Sequence, residues 1–395
     1  MRRVLLLAIG SLALGLDAYV VAGLLPVMAM NLHYSVAALG QLVTAFTLSY
    51  ALLSPFAAAF FFAGRPMRTV LLIALVVFSL GNVLTAVATS LPLLLLARVI
   101  AGLGAGIYAP MSAVSAAALV PARRRGRALS LIIGGMTTGV VLGVPLGLLL
   151  AHHVGWRATL WMVTGLGVVA MAGVLLALRG GTVQPARRVP VRDRLRVLTD
   201  RRVLPILAVT ALAAGASIGS YTYLGPLLAS TAGVTDLSGY LWLWGLGGLA
   251  GSFAIGTLVD RWPNTRLLVT VIVGVLGVLL VSLPAVARGP AGIAVLLVIW
   301  GAVGWSQTTP QQHRILALRT DDGPVAMSLN SSALYLGNSL GTAAGGLLLA
   351  GAGPAAVVLT FGAIALAVAA ANLFTARPTP LARTPAPAAT PANTR

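Results

Sequence analysis

Apolar residues run almost without interruption through this chain, in stretches separated by short polar breaks. Each stretch is about 20 residues or longer, enough to cross a hydrocarbon layer of about 30 Å. A bilayer admits helices or closed barrels, because only these pair every backbone group without water. The runs are continuous rather than alternating, so they predict helices. Twelve are predicted, at 4–30, 35–62, 69–89, 91–119, 126–150 and 157–179, then at 203–232, 237–259, 266–286, 290–316, 323–351 and 354–375. The expected class is an all-α membrane protein.

The pattern repeats. A single offset of 198 residues carries Ala128-Leu129-Ser130-Leu131 onto Ala326-Met327-Ser328-Leu329. The same offset carries Gly139, Gly143 and Gly147 onto Gly337, Gly341 and Gly345, Arg68 onto Arg266, and Gly155 onto Gly353. Two six-helix pseudo-repeats are therefore expected. They form an N-terminal bundle (1–179) and a C-terminal bundle (203–375), joined by a linker (180–202) and followed by a disordered tail (376–395) rich in Pro, Thr and Ala. At this offset Asp17 falls on Gly215 and Arg98 on Leu296, so the charges of the first half have no copy in the second.

Composition narrows the class further. Only 8% of residues are charged, against roughly a quarter in soluble domains. The net charge of +19 would fit a nucleic-acid partner if the arginines were clustered on a soluble face. Instead they punctuate the apolar runs, so no nucleic acid is expected. With the N-terminus placed in the cytoplasm, every arginine except Arg98, Arg157 and Arg288 falls on the cytoplasmic side. Short positive loops stay cytoplasmic, which predicts a multi-pass protein of the cell inner (plasma) membrane with both termini inside. The arginine-bearing linker is expected to lie against anionic headgroups. The basic, apolar start resembles a signal peptide, but the run continues to Met30, so retention is expected. With no cysteine and no spaced histidine set, neither a metal nor any other cofactor is expected.

Seven acids are present, and only Asp17 lies within a span. An ionisable group in hydrocarbon is costly to keep, so its default reading is functional. Counting 1.5 Å per residue from the span ends puts Asp17 and Arg98, on the fourth helix, at similar depth. Desolvation favours a neutral carboxyl and a nearby cation favours an ionised one. The expectation is a proton-coupling pair that meets in one conformation, releasing a proton, and separates in another, taking one up. A static pair that only fixes packing is the competing reading.

On the fifth helix Gly135, Gly139, Gly143 and Gly147 recur every four residues, with Pro145 among them. Small residues at that spacing let a neighbouring backbone come close. The run Gly139 to Gly147 resembles the antiporter motif of drug:proton exporters in the major facilitator superfamily. Leu96-Ala97-Arg98 with Gly102 resembles that family's fourth-helix motif, whose arginine is implicated in proton coupling. Val120-Pro121-Ala122 through Gly126-Arg127-Ala128, then Gly155-Trp156-Arg157, is similar to the loops flanking the fifth helix in chloramphenicol-resistance and arabinose-type efflux transporters. Ser328 to Gly337 is similar to their eleventh helix. The resemblance implies the twelve-helix major facilitator fold and export coupled to protons. The family's gating-loop motif stands in the second half as Gly256, Leu258, Asp260, Arg261 and Arg266. In the first half it is reduced to Ala58, Phe60, Phe62, Ala63 and Arg68, without the acid.

Polar stripes on the spans offer substrate-facing positions, since they must face protein or water. They are Trp300, Gln307 and Gln311 on the tenth helix, Ser332, Tyr335 and Asn338 on the eleventh, and Tyr221 on the seventh. Helix-to-helix hydrogen bonding is the alternative use of each. Few charges and several amides and aromatics suit a small uncharged or weakly polar solute, a drug-like compound or metabolite. The reading is an alternating-access secondary transporter, expected to act as a monomer, that exports this solute in exchange for protons. Proton-coupled or passive uptake of a sugar-like solute is the alternative. A membrane-embedded enzyme lacks a chemical constellation, and failure to move any solute despite an intact Asp17 would point to a non-transporting sensor or scaffold.

Overall fold

The computed structural model describes residues 1–53, 65–121, 124–179, 200–262, 264–318 and 323–374. Its helices are α1 (Arg2–Leu32), α2 (Val36–Leu48), α3 (Met67–Val87), α4 (Leu91–Ala118), α5 (Arg125–Thr138), α6 (Val144–Val154) and α7 (Trp156–Ala177) in the first half. The second half holds α8 (Leu204–Thr222), α9 (Leu224–Ala232), α10 (Ser238–Arg261), α11 (Thr265–Val286), α12 (Pro290–Ser306), α13 (Thr308–Leu318), α14 (Gly323–Ala352) and α15 (Pro354–Asn372). Among the described residues, eleven spans are long and apolar enough to cross a bilayer. The predicted span 35–62 is described only as far as Leu53. Residues 180–199 of the linker and the whole tail 376–395 lie outside the described residues.

Four predicted spans are interrupted among the described residues; the second passes from α2 into a π turn at Ser49–Leu53, and a nearby proline explains each of the other three. A proline lacks the N–H for the bond to the residue four back, and its ring crowds that carbonyl. The seventh span breaks at Tyr223, three residues before Pro226, into α8 and α9. The tenth breaks at Gln307, three residues before Pro310, into α12 and α13. The fifth continues from α5 to α6 through a wide π turn, Gly139–Gly143, just ahead of Pro145. Such π turns absorb a lost bond without ending the span.

The glycines of the fifth span lie along α1 in register. A Cβ on Gly135, Gly139, Gly143 or Gly147 would collide in turn with Ala8, Leu12, Leu16 and Val20. In the second half Gly337, Gly341 and Gly345 of α14 lie in the same way on Ala211, Gly215 and Gly219 of α8. The parallel pair α1 with α5–α6 is thus copied as α8 with α14. The copy runs one residue longer on α8, so the counterpart of Asp17 is Ala216 rather than Gly215, still without charge. Gly155 and Gly353 each form the single-residue link to the next helix with φ of 107° and 84°. That left-handed region disfavours any side chain, which accounts for their match across the repeat.

The halves meet through α2 against α14 and through α6 against α10. Their contacts run from Tyr50 and Tyr335 up to the distal end of the bundle, the end where α1 finishes at His33. There Tyr223 packs on Gly40, and Gly23 faces Leu241. The π turn also meets α10, with Val141 beside Gly245. At the other end of the fifth span, α5 packs on α1 and α4 of its own half.

Candidate functional site

Asp17 is the middle residue of the 31-residue α1 and is fully buried. Its Oδ1 accepts a hydrogen bond from Nη1 of Arg98 at 2.8 Å, and the Arg98 side chain is only 1% exposed. Two other spans shape this pair. The Arg98 guanidinium lies over the Phe46 ring at 4.4 Å, a cation–π contact from α2. From α3, Asn82 Oδ1 stands 3.5 Å from Nη1, while Asn82 Nδ2 donates to the Phe78 carbonyl at 3.1 Å. At the carboxylate the ion pair is single-pronged, and Arg98 Nη2 donates instead to the Asp17 backbone carbonyl at 3.5 Å. Asp17 Oδ2 and Arg98 Nε are both buried without a partner. A forked arginine–carboxylate pair would satisfy both.

Phe46 and Asn82 escaped the sequence reading. Asn82 carried a usable signal, as an amide within an otherwise apolar third span. Phe46 carried none, because one more aromatic in an apolar run has no distinguishing pattern.

The predicted substrate-facing residues divide into two groups. Trp300 donates its indole N–H to Ser217 Oγ at 3.0 Å, and Gln311 donates to the Ile206 carbonyl at 3.2 Å while accepting from Arg314 at 2.9 Å. Both therefore tie the tenth span to the seventh. Gln307 is buried at the break between α12 and α13. Others lie on the seam between the halves. Tyr335 stacks on Tyr50 of the first half with ring centroids 3.7 Å apart. Beside it, Asn338 is buried with its Oδ1 unpartnered, and Ser339 donates to the Thr44 carbonyl across the seam at 3.2 Å. Ser332 is half-buried. Tyr221 joins Trp244, Trp305 and, from the first half, Tyr19 in an aromatic group. The last three were not singled out in the sequence.

The expected gating-loop residues are not drawn into one cluster by the described contacts. Arg68 and Arg261 are exposed, and Gly256 has open space where a Cβ would stand. Arg266 donates to the Leu373 carbonyl at the end of α15 at 2.6 Å. The side chain of Asp260 lies outside the described residues.

At the distal rim His152, ending α6, stands 3.5 Å from Asp236, which precedes α10. The Ser238 backbone N–H donates to Asp236 at 2.9 Å. That bond first, then the Ser238 hydroxyl and the nearby His152, holds the Asp236 carboxyl below the ordinary aspartate range. A carboxyl lowered on folding adds stability above its unfolded value and loses it as pH falls through the folded one. The attraction thus needs a pH above that acid limit and a protonated imidazole. Both side chains are largely exposed, at 43% and 65%, so the pair contributes at most about 1 kcal/mol. Asp236→Asn should loosen the distal seam slightly at mildly acidic pH and not at all at pH 9, read as spin-label distances across it. A loosening that persists at pH 9 would rule the pair out as a clasp.

The comparisons with known proteins agree with this architecture. The chain is 32% identical to the inner membrane transport protein YdhP of Escherichia coli (strain K12) over 373 residues, 94% of each. It is 35% identical over 343 residues to a chloramphenicol resistance protein of Streptomyces lividans, covering 85% of this chain and 86% of that one. Among solved structures it superposes on a partially occluded inward-open xylose transporter, XylE from E. coli, with a TM-score of 0.69. That match is 16% identical and covers 93% of this chain and 96% of the other, which speaks for the fold alone. The family model described as Major Facilitator Superfamily matches residues 7–322. With twelve predicted spans in two copies, glycine-registered helix pairs and relatives aligned over nearly its whole length, the chain belongs to the Major Facilitator Superfamily of membrane transporters.

Proposed function

We propose that this transporter exports a small, uncharged or weakly polar molecule across the inner membrane in exchange for protons, by alternating access, with both termini in the cytoplasm. The observation that carries the reading is the buried, single-pronged Asp17–Arg98 pair with its unpartnered Oδ2. An acid at the middle of a span, paired with a cation it can leave, is the minimum equipment for carrying one proton. In the orientation proposed, the distal seam faces outside and is shut while the pair is formed. That is the order proton entry requires: release on the cytoplasmic side when Arg98 closes on Asp17, and uptake from outside when they part. The antiporter-like glycine run and the resistance protein among the relatives favour export, and the glycine stripe lets α1 move against α5 and α6 as the halves rock.

Flux in everted vesicles tests the direction. An acidic lumen should drive the solute into the lumen if protons and solute exchange. Co-transport of a sugar-like solute would instead empty the lumen under the same gradient. Accumulation indifferent to the gradient would remove proton coupling from the scheme.

A further inference from the structure

Tyr19 of α1, Tyr221 of α8, Trp244 of α10 and Trp305 of α12 form one aromatic group across the seam. The Tyr221 and Trp244 rings lie 4.4 Å apart, and Tyr19 stands 5.8 to 6.1 Å from each of the other three. Tyr221 and Trp244 are 4% and 1% exposed. The Tyr221 hydroxyl and the indole N–H groups of Trp244 and Trp305 are all shut away from solvent with no acceptor. Buried donors are ordinarily paired, and an unpaired one calls for an explanation. Three in a single aromatic group, from three different spans, are not a packing accident that one rotamer relieves.

We propose that these four rings form the solute's subsite, and that it takes a flat, uncharged molecule carrying hydrogen-bond acceptor oxygens. Its faces would stack on the rings, and its oxygens would take the three idle donors. Against a cation, the positive ends of those donors oppose the attraction of the ring faces, and Asp17, the carboxylate closest in sequence, is already engaged by Arg98. An anion would lose its water with no cation in the group to replace it. The proposal rests on the transport reading above and adds the chemical class of the solute. It also accounts for coupling. Asp17 and Tyr19 are two residues apart on α1, about 200° around the helix. Asp17 therefore faces Arg98 within its own half while Tyr19 faces the other half. A solute that enters between Tyr19 and the second half displaces the same turn of α1 that holds the proton site.

Three two-ring probes of similar outline separate the alternatives: coumarin (neutral, with a lactone oxygen pair), 1,2-dihydronaphthalene (neutral, no acceptor) and N-methylquinolinium (cationic). Binding is read as saturable quenching of tryptophan fluorescence in nanodiscs, corrected for partition into protein-free discs. Coumarin should bind more tightly than both other probes. Tyr221→Phe, which removes only a hydroxyl, should weaken it about fivefold, the effect of one hydrogen bond, with no change for dihydronaphthalene. Coumarin affinity should vary with pH in the wild type and lose that dependence in Asp17→Asn, since coupling between two sites is reciprocal. Thermal melting of each variant separates lost binding from lost fold. Equal or tighter binding of the cation, absence of saturable coumarin binding, or an unaltered coumarin affinity in a folded Tyr221→Phe would overturn the subsite. Proton-driven flux alongside any of those results would leave the exchange reading standing. Coumarin binding as expected without proton-driven flux would do the reverse.

Discussion

Asp17→Asn is expected to reduce solute accumulation driven by a pH difference to the level of passive equilibration. With one proton exchanged per uncharged solute and no membrane potential, the wild type can sustain about a tenfold ratio per pH unit, since 1.4 kcal/mol is a factor of ten. The amide cannot carry a proton through the cycle, so the ratio should fall to unity. Asn leaves the Arg98 guanidinium, 1% exposed, without its counter-charge. Breaking one side of a buried pair typically costs 3–5 kcal/mol. The double variant Asp17→Asn with Arg98→Gln removes both charges and should recover most of the lost stability, because replacing a whole buried pair is often near neutral. It should not recover gradient-driven transport. If the double variant folds and still concentrates solute in proportion to the pH difference, Asp17 is not the proton carrier and the pair is a packing device. Asp17→Glu, which keeps the charge, should retain some coupling if the carboxylate is the working group.

The second large effect is steric. Gly139→Ala places a methyl group on the backbone of Leu12 and close to the amide nitrogen of Leu16, at 2.9 Å. Backbone cannot swing aside as a side chain would, so α1 must move away from the fifth span. Overpacking of this kind costs typically 1–3 kcal/mol, and here it acts beside Asp17. Transport should be lost even where the protein still inserts. Gly134→Ala is the matched control, since no atom lies within 4 Å of a Cβ there. It should melt and transport like the wild type. Gly341→Ala on α14 should repeat the Gly139 result, because its Cβ would strike the Gly215 backbone. Similar melting and flux for Gly139→Ala and Gly134→Ala would show that the close approach is not needed.

Most of the architecture was legible in the chain because hydrocarbon is an unforgiving solvent. It accepts long apolar helices and little else, so span existence followed from composition, and the ends fell within a few residues of those found. The interruptions at Tyr223 and Gln307 were hidden by the same continuity, since an apolar run reads as one helix. Pro226 and Pro310 were visible, but proline within a span may bend it, widen a turn or end it, and packing on neighbours decides which. The polar stripe of the tenth span was correctly placed inside the protein. Its use was not legible, because a stripe has one appearance whether it meets solute or a facing serine. Trp300 finds Ser217, and Gln311 finds a carbonyl.

What the amino-acid order determined alone is every feature that depends on local spacing and solvent: helical spans, two copies, a single intramembrane acid, and glycines four apart. What only the tertiary structure decided is which faces meet. Asp17 and Arg98 are 81 positions apart, and equal depth in two spans leaves the rotation of each helix free, so depth could not make them partners. Phe46, Asn82 and the four-ring group across the seam exist only once six or more helices fix one another's rotation. Side-chain chemistry in a transporter is read from that rotation, which no one helix carries in its own sequence.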